Sequence, residues 1–435
     1  MKLTISPFRS ERVHRILERT VESPTLSVLL FIAYFMPQEY AIGADAFKVW
    51  QLVQMGIFLG VLSVLLFGKC RITGRWALLS LLYASFYIIS SAVNGAMSVL
   101  GSNIYECLRG IGFITLSELY IQMDSRKYVK SFAFAGIIMC SAHMVSEVLI
   151  STGITGPFEV EPGEPYRIEW MSYYLLTYDN ESVYFFLPTI LSTLLYGINY
   201  NVKIARAVGF IMLLLSTALA IYHKAATAVA SYILILVIIG TLLVLRHTGH
   251  AITGIRPSKK KVIVFVTSIL ALSGVLVLLI SSGYLGGIAE LFGKDSSFSL
   301  RDEIWRRSID SIASHPLFGR GREGFEITRQ VIGQSHCHNI VLELLYTGGA
   351  MSLVIYILSL GACCPEMRSA AGHNSKLMTS LALISAFSLG YFLVASFDWY
   401  PAIPVQFFIF EALCMCSSTD DVGAIESACA NCSEV

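Results

Sequence analysis

The stretch AATAVASYILILVIIGTLLVL, residues 225–245, runs for twenty-one positions without a charge. A helix of that length rises roughly 30 Å, the thickness of the hydrocarbon core of a bilayer, so the segment reads as a membrane-crossing helix. The rest of the chain repeats the pattern. Its 435 residues are 55% hydrophobic and 14% charged, with a mean hydropathy of +0.66. Soluble domains carry about 25% charge and about 45–50% apolar residues. So little charge cannot cover a water-facing surface, and a soluble multidomain enzyme is excluded. The net charge of +1 excludes a global basic footprint for nucleic acid, and ten scattered cysteines exclude a disulfide scaffold.

Apolar runs of roughly 20 residues recur at 25–44, 49–67, 76–93, 104–123, 131–152, 183–200, 204–222, 225–245, 262–282, 339–362, 377–396 and 402–416. They predict an all-α polytopic membrane protein of about twelve transmembrane helices. The first run carries Pro37 and Glu39, and the last is short. Lys2, Arg9, Arg12, Arg15 and Arg19 precede the first run, and no small-residue cleavage site follows it; it reads as a retained span rather than a removed signal peptide. The short loops place Lys69, Arg71, Arg75, Arg126, Lys127, Lys130, Lys203, Arg206, Arg246, Arg256, Lys259, Lys260, Lys261, Arg368 and Lys376 on one side. By the positive-inside rule that side is the cytoplasm, and both termini lie there. The expected organisation is a cytoplasmic segment 1–24, nine helices over 25–282 with a periplasmic loop at 153–182, a large periplasmic loop 283–338, three helices over 339–416 and a cytoplasmic tail 417–435.

The segment 283–338 collects Lys294, Arg301, Arg306, Arg307, Arg320, Arg322 and Arg329 on the face where positive charge is disfavoured. An anionic ligand is one reason for such a cluster; a solvated loop held by anionic headgroups is the other. Within it Trp305, Ile309 and Ile312 fall at i, i+4 and i+7, one face of a helix, which predicts an amphipathic helix lying along the membrane interface and ended by His315-Pro316. Gly319, Gly321 and Gly324 spell GxGxxG, but the motif follows a Pro-terminated helix and no βαβ unit surrounds it, which excludes dinucleotide binding. A plain turn, or an Arg-decorated turn whose backbone approaches a phosphate, stays open.

The loop ends in His336-Cys337-His338-Asn339. Zinc needs about four ligands and no second ligand pair is evident on this face, so no metal is expected. A histidine at a helix N-terminus, with an ordinary pKa of about 6.5, suits a general base. Glu343, four residues after Asn339, shares its helix face as an intramembrane carboxylate, a residue type that usually faces a polar cavity. Glu106 and Arg109 form a similar set in the fourth run, as an internal ion pair or as ligand-binding groups.

The pattern Arg301-x3-Trp305, His315-Pro316-Leu317-x-Gly319-x-Gly321, His338-Asn339-x2-Leu342-Glu343 and Gly348-Gly349 resembles the O-antigen ligase and polymerase superfamily of bacterial inner-membrane proteins, over roughly residues 299–353. The resemblance implies a GT-C-like fold and glycosyl transfer at the periplasmic face, with neither metal nor cofactor. The donor would be a glycan on undecaprenyl diphosphate; membrane lipids and a chain-length regulator would be further partners. The essential histidine of the family falls on His338 and an early loop arginine on Arg301. A further family arginine, between two mid-chain spans, meets Tyr222-His223-Lys224-Ala225 here; Lys224 can offer a phosphate a point charge but not a bidentate fork. Gly349 fits the ligase pattern, whereas Leu353 stands where that pattern has Gly, Thr or Tyr. The departure favours a polymerase of O-antigen or exopolysaccharide; transfer to lipid A-core by a ligase is the alternative.

In this chemistry a sugar hydroxyl displaces a diphosphate at the anomeric carbon, and the site must position the partners and stabilise charge on the departing oxygens. Displacement without a covalent intermediate inverts the anomeric centre. The residues expected to act are His338 and Arg301, with Lys224, Arg320, Arg322, Arg109, Asn339 and Glu343 as substrate-binding groups, Glu343 by orienting the imidazole. A transporter of lipid-linked glycan would show paired halves, and no half-to-half similarity is visible; a non-catalytic scaffold would leave the His-Asn and Arg constellation unexplained.

Overall fold

A computed structural model describes residues 23–67, 72–95, 99–156, 174–177, 180–248, 259–284, 301–363 and 375–397. The basic N-terminal segment, most of the 153–182 loop, Lys294, the 402–416 run and the tail lie outside them. The described residues are helical, without a strand. In chain order they form α1 (Pro24–Ile32), α2 (Glu39–Ile42), α3 (Ala44–Phe67), α4 (Gly74–Ala84), α5 (Ser90–Val93), α6 (Leu100–Met123), α7 (Ser125–Ser151) and α8 (Val183–Asn199). There follow α9 (Lys203–Tyr222), α10 (Ala226–His247), α11 (Lys259–Ser281), α12 (Arg301–Ser314), α13 (Phe325–Ile332), α14 (Ile340–Cys363) and α15 (Ser375–Ala395). A π-helical turn, Ser85–Ile89, joins α4 to α5.

Several starts are set by capping side chains that accept an otherwise orphan N–H. Ser23 accepts from Leu26 ahead of Pro24, Thr73 from Trp76 and Asp124 from Lys127. Between α9 and α10 the chain reverses in a Schellman turn: the Ala225 N–H donates to the Ala220 carbonyl at 2.9 Å and that of Lys224 to Ile221 at 3.1 Å. Lys224, at φ +56°, occupies the left-handed position that glycine usually takes.

Seven helices among the described residues are long and apolar enough to cross a bilayer: α3, the α4–α5 run, α7, α9, α10, α11 and α14. Helices α8 and α15 are apolar but shorter. Helix α6 has 24 residues but carries Asn103, Glu106, Arg109 and Glu118. Leu52 at 71%, Leu272 at 69% and Leu59 at 61% exposure mark faces that only a hydrocarbon solvent would tolerate together. The protein is a multi-pass membrane protein. The expected first span, 25–44, is corrected: α1 stops after nine residues, a turn through Pro37 follows, and α2 is a separate short helix. Proline both lacks an N–H and disfavours helical geometry in the residue before it. Phe31 of α1 is fully buried among Phe113, Tyr120, Tyr128 and Phe132 of α6 and α7, so this short helix is core rather than a crossing.

Side-chain contacts sort the chain turns into two ends. At one, Arg75 pairs with Glu118, Arg126 lies over Tyr200, and Ser380 donates to Asn199. At the other, Gln38 donates to Leu176, Tyr174 meets His223, Asn103 donates to Arg322 and Asn339 donates to Ser396. Helix α12 belongs to the second end and corrects another expectation. Its apolar face does not lie on lipid: Trp305 is fully buried, in a cluster with Ile304 of the same helix, Val277 and Ile280 of α11, Ile332 of α13, and Cys337, Leu342 and Tyr346. A face that reads as amphipathic in sequence serves membrane and protein equally, and here α11 and α14 claim it.

Candidate active site

The first turn of α14 organises the site. Asn339 caps it: the side-chain oxygen accepts from Val341 at 2.9 Å and Leu342 at 3.1 Å, and the amide donates to Ser273 Oγ at 3.0 Å and the Ser396 carbonyl at 2.8 Å. All four of its hydrogen-bonding capacities are engaged, and the residue ties α11, α14 and the end of α15 together.

Cys337 is locked on three sides. Its N–H donates to Glu343 Oε2 at 2.7 Å, its carbonyl accepts the Trp305 indole N–H at 2.9 Å, and its sulfur accepts from Ser308 at 3.4 Å. Burial pushes the thiol well above its ordinary range, and Glu343 adds to the rise; this is a packed cysteine and not a nucleophile. The histidines on either side are thereby fixed. His338 is half-buried in left-handed backbone at φ +52°, and its ring centroid lies 3.9 Å from that of His336. Among the described residues no three His, Cys, Asp or Glu side chains converge as metal ligands.

Arg301, the first residue of α12, donates through Nε to the Phe397 carbonyl at 3.0 Å. The Phe397 ring lies 6.4 Å from that of Trp305, one helical turn after Arg301. The Trp305–Cys337 hydrogen bond therefore has Arg301 one turn to one side and His338 one residue to the other. Glu343 supports this arrangement through backbone: its carboxylate grips the Cys337 N–H, and its second oxygen accepts from Thr347 at 3.2 Å. Glu343→Gln can keep both hydrogen bonds while losing the charge. It should retain transfer within a few-fold, whereas Glu343→Ala, which orphans a buried N–H at about 1–3 kcal/mol, should lower the melting midpoint and cripple turnover; parallel melting and activity measurements on both variants check this.

Arg320 and Arg322 sit in a segment built into α14. That helix breaks at Gly349, φ +65° and ψ −167°, a conformation open essentially to glycine alone. In an unbroken helix the N–H groups of Ala350 and Met351 would reach the carbonyls of Tyr346 and Thr347. Here the 316–321 segment is interposed. Ala350 and Met351 donate to Pro316 and Leu317 at 2.9 and 3.2 Å, while Arg320 and Gly321 donate to Tyr346 and Thr347 at 2.7 and 2.9 Å. The inserted turn satisfies these two N–H groups and two carbonyls, as a break within a bilayer-spanning helix requires. Gly319, at φ +62°, approaches so closely that a Cβ would lie 2.6 Å from the Tyr346 carbonyl. Ser90 and Asn94 hold the turn from α5 and its end by donating to Phe318 and Gly319.

The guanidinium of Arg320 is bound by Glu323 at 2.9 Å, which holds its pKa above the ordinary value, and Tyr346 donates to the same carboxylate at 3.2 Å. Arg322 donates to the Tyr87 hydroxyl at 3.0 Å with its guanidinium 5.0 Å from the ring centroid. Arg109, deeper in α6, pairs with Glu106 at 2.6 Å. Lys224 is exposed at the same end of the bundle, at the head of α10, whose Ser231 lies against Gly390 of α15.

Sequence reading missed Glu323, Tyr87, Ser90, Asn94 and Asn103 as partners of the arginine-bearing turn. A polar residue inside or beside an apolar run gives no sign of which distant loop it serves. The helix break did leave a sign, since Gly348-Gly349 interrupts an otherwise apolar helix.

Residues 190–357 match the family model described as O-antigen ligase. The matched stretch runs from within α8 to within α14 and contains Lys224, Arg301, Arg320, Arg322, His338, Asn339 and Glu343. No curated protein matches the chain.

Proposed function

The match over residues 190–357 puts this chain in the O-antigen ligase and polymerase superfamily, and on that premise we propose that it is a membrane polysaccharide polymerase. It transfers a glycan from undecaprenyl diphosphate to a sugar hydroxyl on a lipid-linked acceptor at the periplasmic face of the bacterial inner membrane, with both termini in the cytoplasm. The observation that carries the reading is the Trp305–Cys337 hydrogen bond, which sets Arg301 and His338 around one anchor inside the matched segment.

In this mechanism the acceptor hydroxyl attacks the anomeric carbon, His338 takes its proton, and the bond to the diphosphate breaks with inversion. Charge gathers on the departing oxygens, where Arg301 meets it; a guanidinium can do so with two parallel N–H donors. Lys224 adds a point charge from the α9–α10 turn. Arg320, Arg322, Asn339 and Glu343 hold the catalytic segment on α14, and Arg109 holds its ion pair with Glu106 within α6. The leaving group is already good, so positioning and charge stabilisation supply the catalysis without a metal.

A second reading is favoured by the description of the matched family: a ligase that passes finished glycan to lipid A-core. Purified protein incubated with a lipid-diphosphate repeat unit separates the two. A product ladder without added core lipid supports the polymerase, transfer only onto core lipid supports the ligase, and movement of the donor across vesicles without bond formation overturns both.

A further inference from the structure

A second set of ionisable groups lies inside the bundle. His143 and Glu147 are one turn apart on α7, with side chains 1% and 2% exposed. His143 Nδ1 accepts the Leu176 N–H at 3.1 Å, which leaves the ring its proton on Nε2 and no positive charge. Nε2 lies 3.3 Å from Glu147 Oε1 but off the line of a hydrogen bond, and neither this nitrogen nor Glu147 Oε2 has a hydrogen-bond partner.

The surroundings offer no counter-charge. On α7 itself the neighbours are His143 and Cys140. From α8, Phe186 stacks edge-on to His143 and Thr189 meets Cys140. From α10, Tyr232 is near enough to Glu147 and Cys140 to feel their charge, with Ser216 of α9 beside its hydroxyl. Among the described residues no Lys or Arg pairs with Glu147. A lone carboxylate withdrawn from water is unstable as an anion unless positive charge accompanies it, and ionisable groups inside membrane helices usually mark ion or proton sites.

We infer that Glu147 anchors an intramembrane site for one small monovalent cation, H⁺ or Na⁺, on α7. The unpartnered Glu147 Oε2 is its oxygen donor. The site is coupled to the outer end of the bundle. His143 holds Leu176, and the ring of Tyr174 lies 5.8 Å from that of His143. The Tyr174 hydroxyl reaches His223 at 3.3 Å, next to Lys224. Occupancy therefore tightens the 174–177 turn over the α9–α10 corner.

The test needs no transfer activity, so its outcome is separate from the glycosyltransferase reading. Purified protein in detergent is melted with sodium exchanged for choline at constant ionic strength, and again across a range of pH at fixed sodium. The wild-type midpoint should rise by several degrees with sodium, or on acidification, and Glu147→Gln should lose that response. A sodium response identifies Na⁺; a response to pH alone identifies the proton. Identical responses of the two proteins overturn the inference. In unmutated protein, labelling of Glu147 by a hydrophobic carbodiimide, read by mass spectrometry, should fall as sodium or pH is raised; labelling indifferent to both overturns it as well.

Discussion

His338→Ala is expected to lower glycan transfer by about 10²–10⁴-fold, the usual contribution of a positioned general base, in a protein that still inserts and folds. The backbone on either side of His338 is held by its neighbours. Cys337 is anchored through its own N–H, carbonyl and sulfur, and Asn339 caps α14 independently. The residue sits at φ +52°, a strain that histidine and alanine share because both carry a Cβ; His338→Asn is the sharper variant, because asparagine tolerates that backbone and cannot act as the base. Both should show near wild-type expression and little or no polymer. Full-length glycan in a strain carrying only either variant would remove His338 from the mechanism.

The second large effect is structural. A Cβ at Gly349 would overlap the Leu317 carbonyl, and the backbone there is one that only glycine holds without a strain of about 1–3 kcal/mol. Gly349→Ala must expel the 316–321 turn, and with it the four backbone hydrogen bonds across the break. Each group left unsatisfied at membrane depth costs several kcal/mol. The expected result is loss of monodisperse protein on extraction, or a much lower melting midpoint with no activity. Gly240→Ala, where nothing lies within 4 Å, is the matched control and should behave as wild type. Equal yields and midpoints for the two variants would mean that the inserted turn is not what holds α14 together.

These effects show why some of the molecule could be read from sequence and some could not. Helices α3, α7, α9, α10, α11 and α14 were legible because a bilayer demands long apolar runs and few other environments do. Helix α1 misled, because Phe31, Tyr34 and Phe35 suit an aromatic core as well as lipid, and hydropathy cannot separate the two. Trp305 misled in the same way. Arg301 and His338 were singled out by pattern, but the anchor between them is a backbone carbonyl at Cys337, which no side-chain motif announces. Glu343 follows Asn339 by one turn, and its carboxylate accepts from the Cys337 N–H and from Thr347. Spacing along a helix says which residues share a face, while the chain crossing that face is set by tertiary structure. In the 319–324 segment Gly319 lies against the backbone of α14 and Gly321 against that of α5 at Ser90 and Ser91.

In the proposed mechanism Arg301 grips a lipid diphosphate while His338 activates the acceptor beside it. Binding of undecaprenyl diphosphate to purified wild type, Arg301→Ala and His338→Ala separates the two roles. The Arg301 variant should bind about ten- to a hundredfold more weakly, the loss of a charge-assisted contact, whereas the His338 variant should bind like wild type and transfer nothing. An Arg301 variant with undiminished affinity would contradict it.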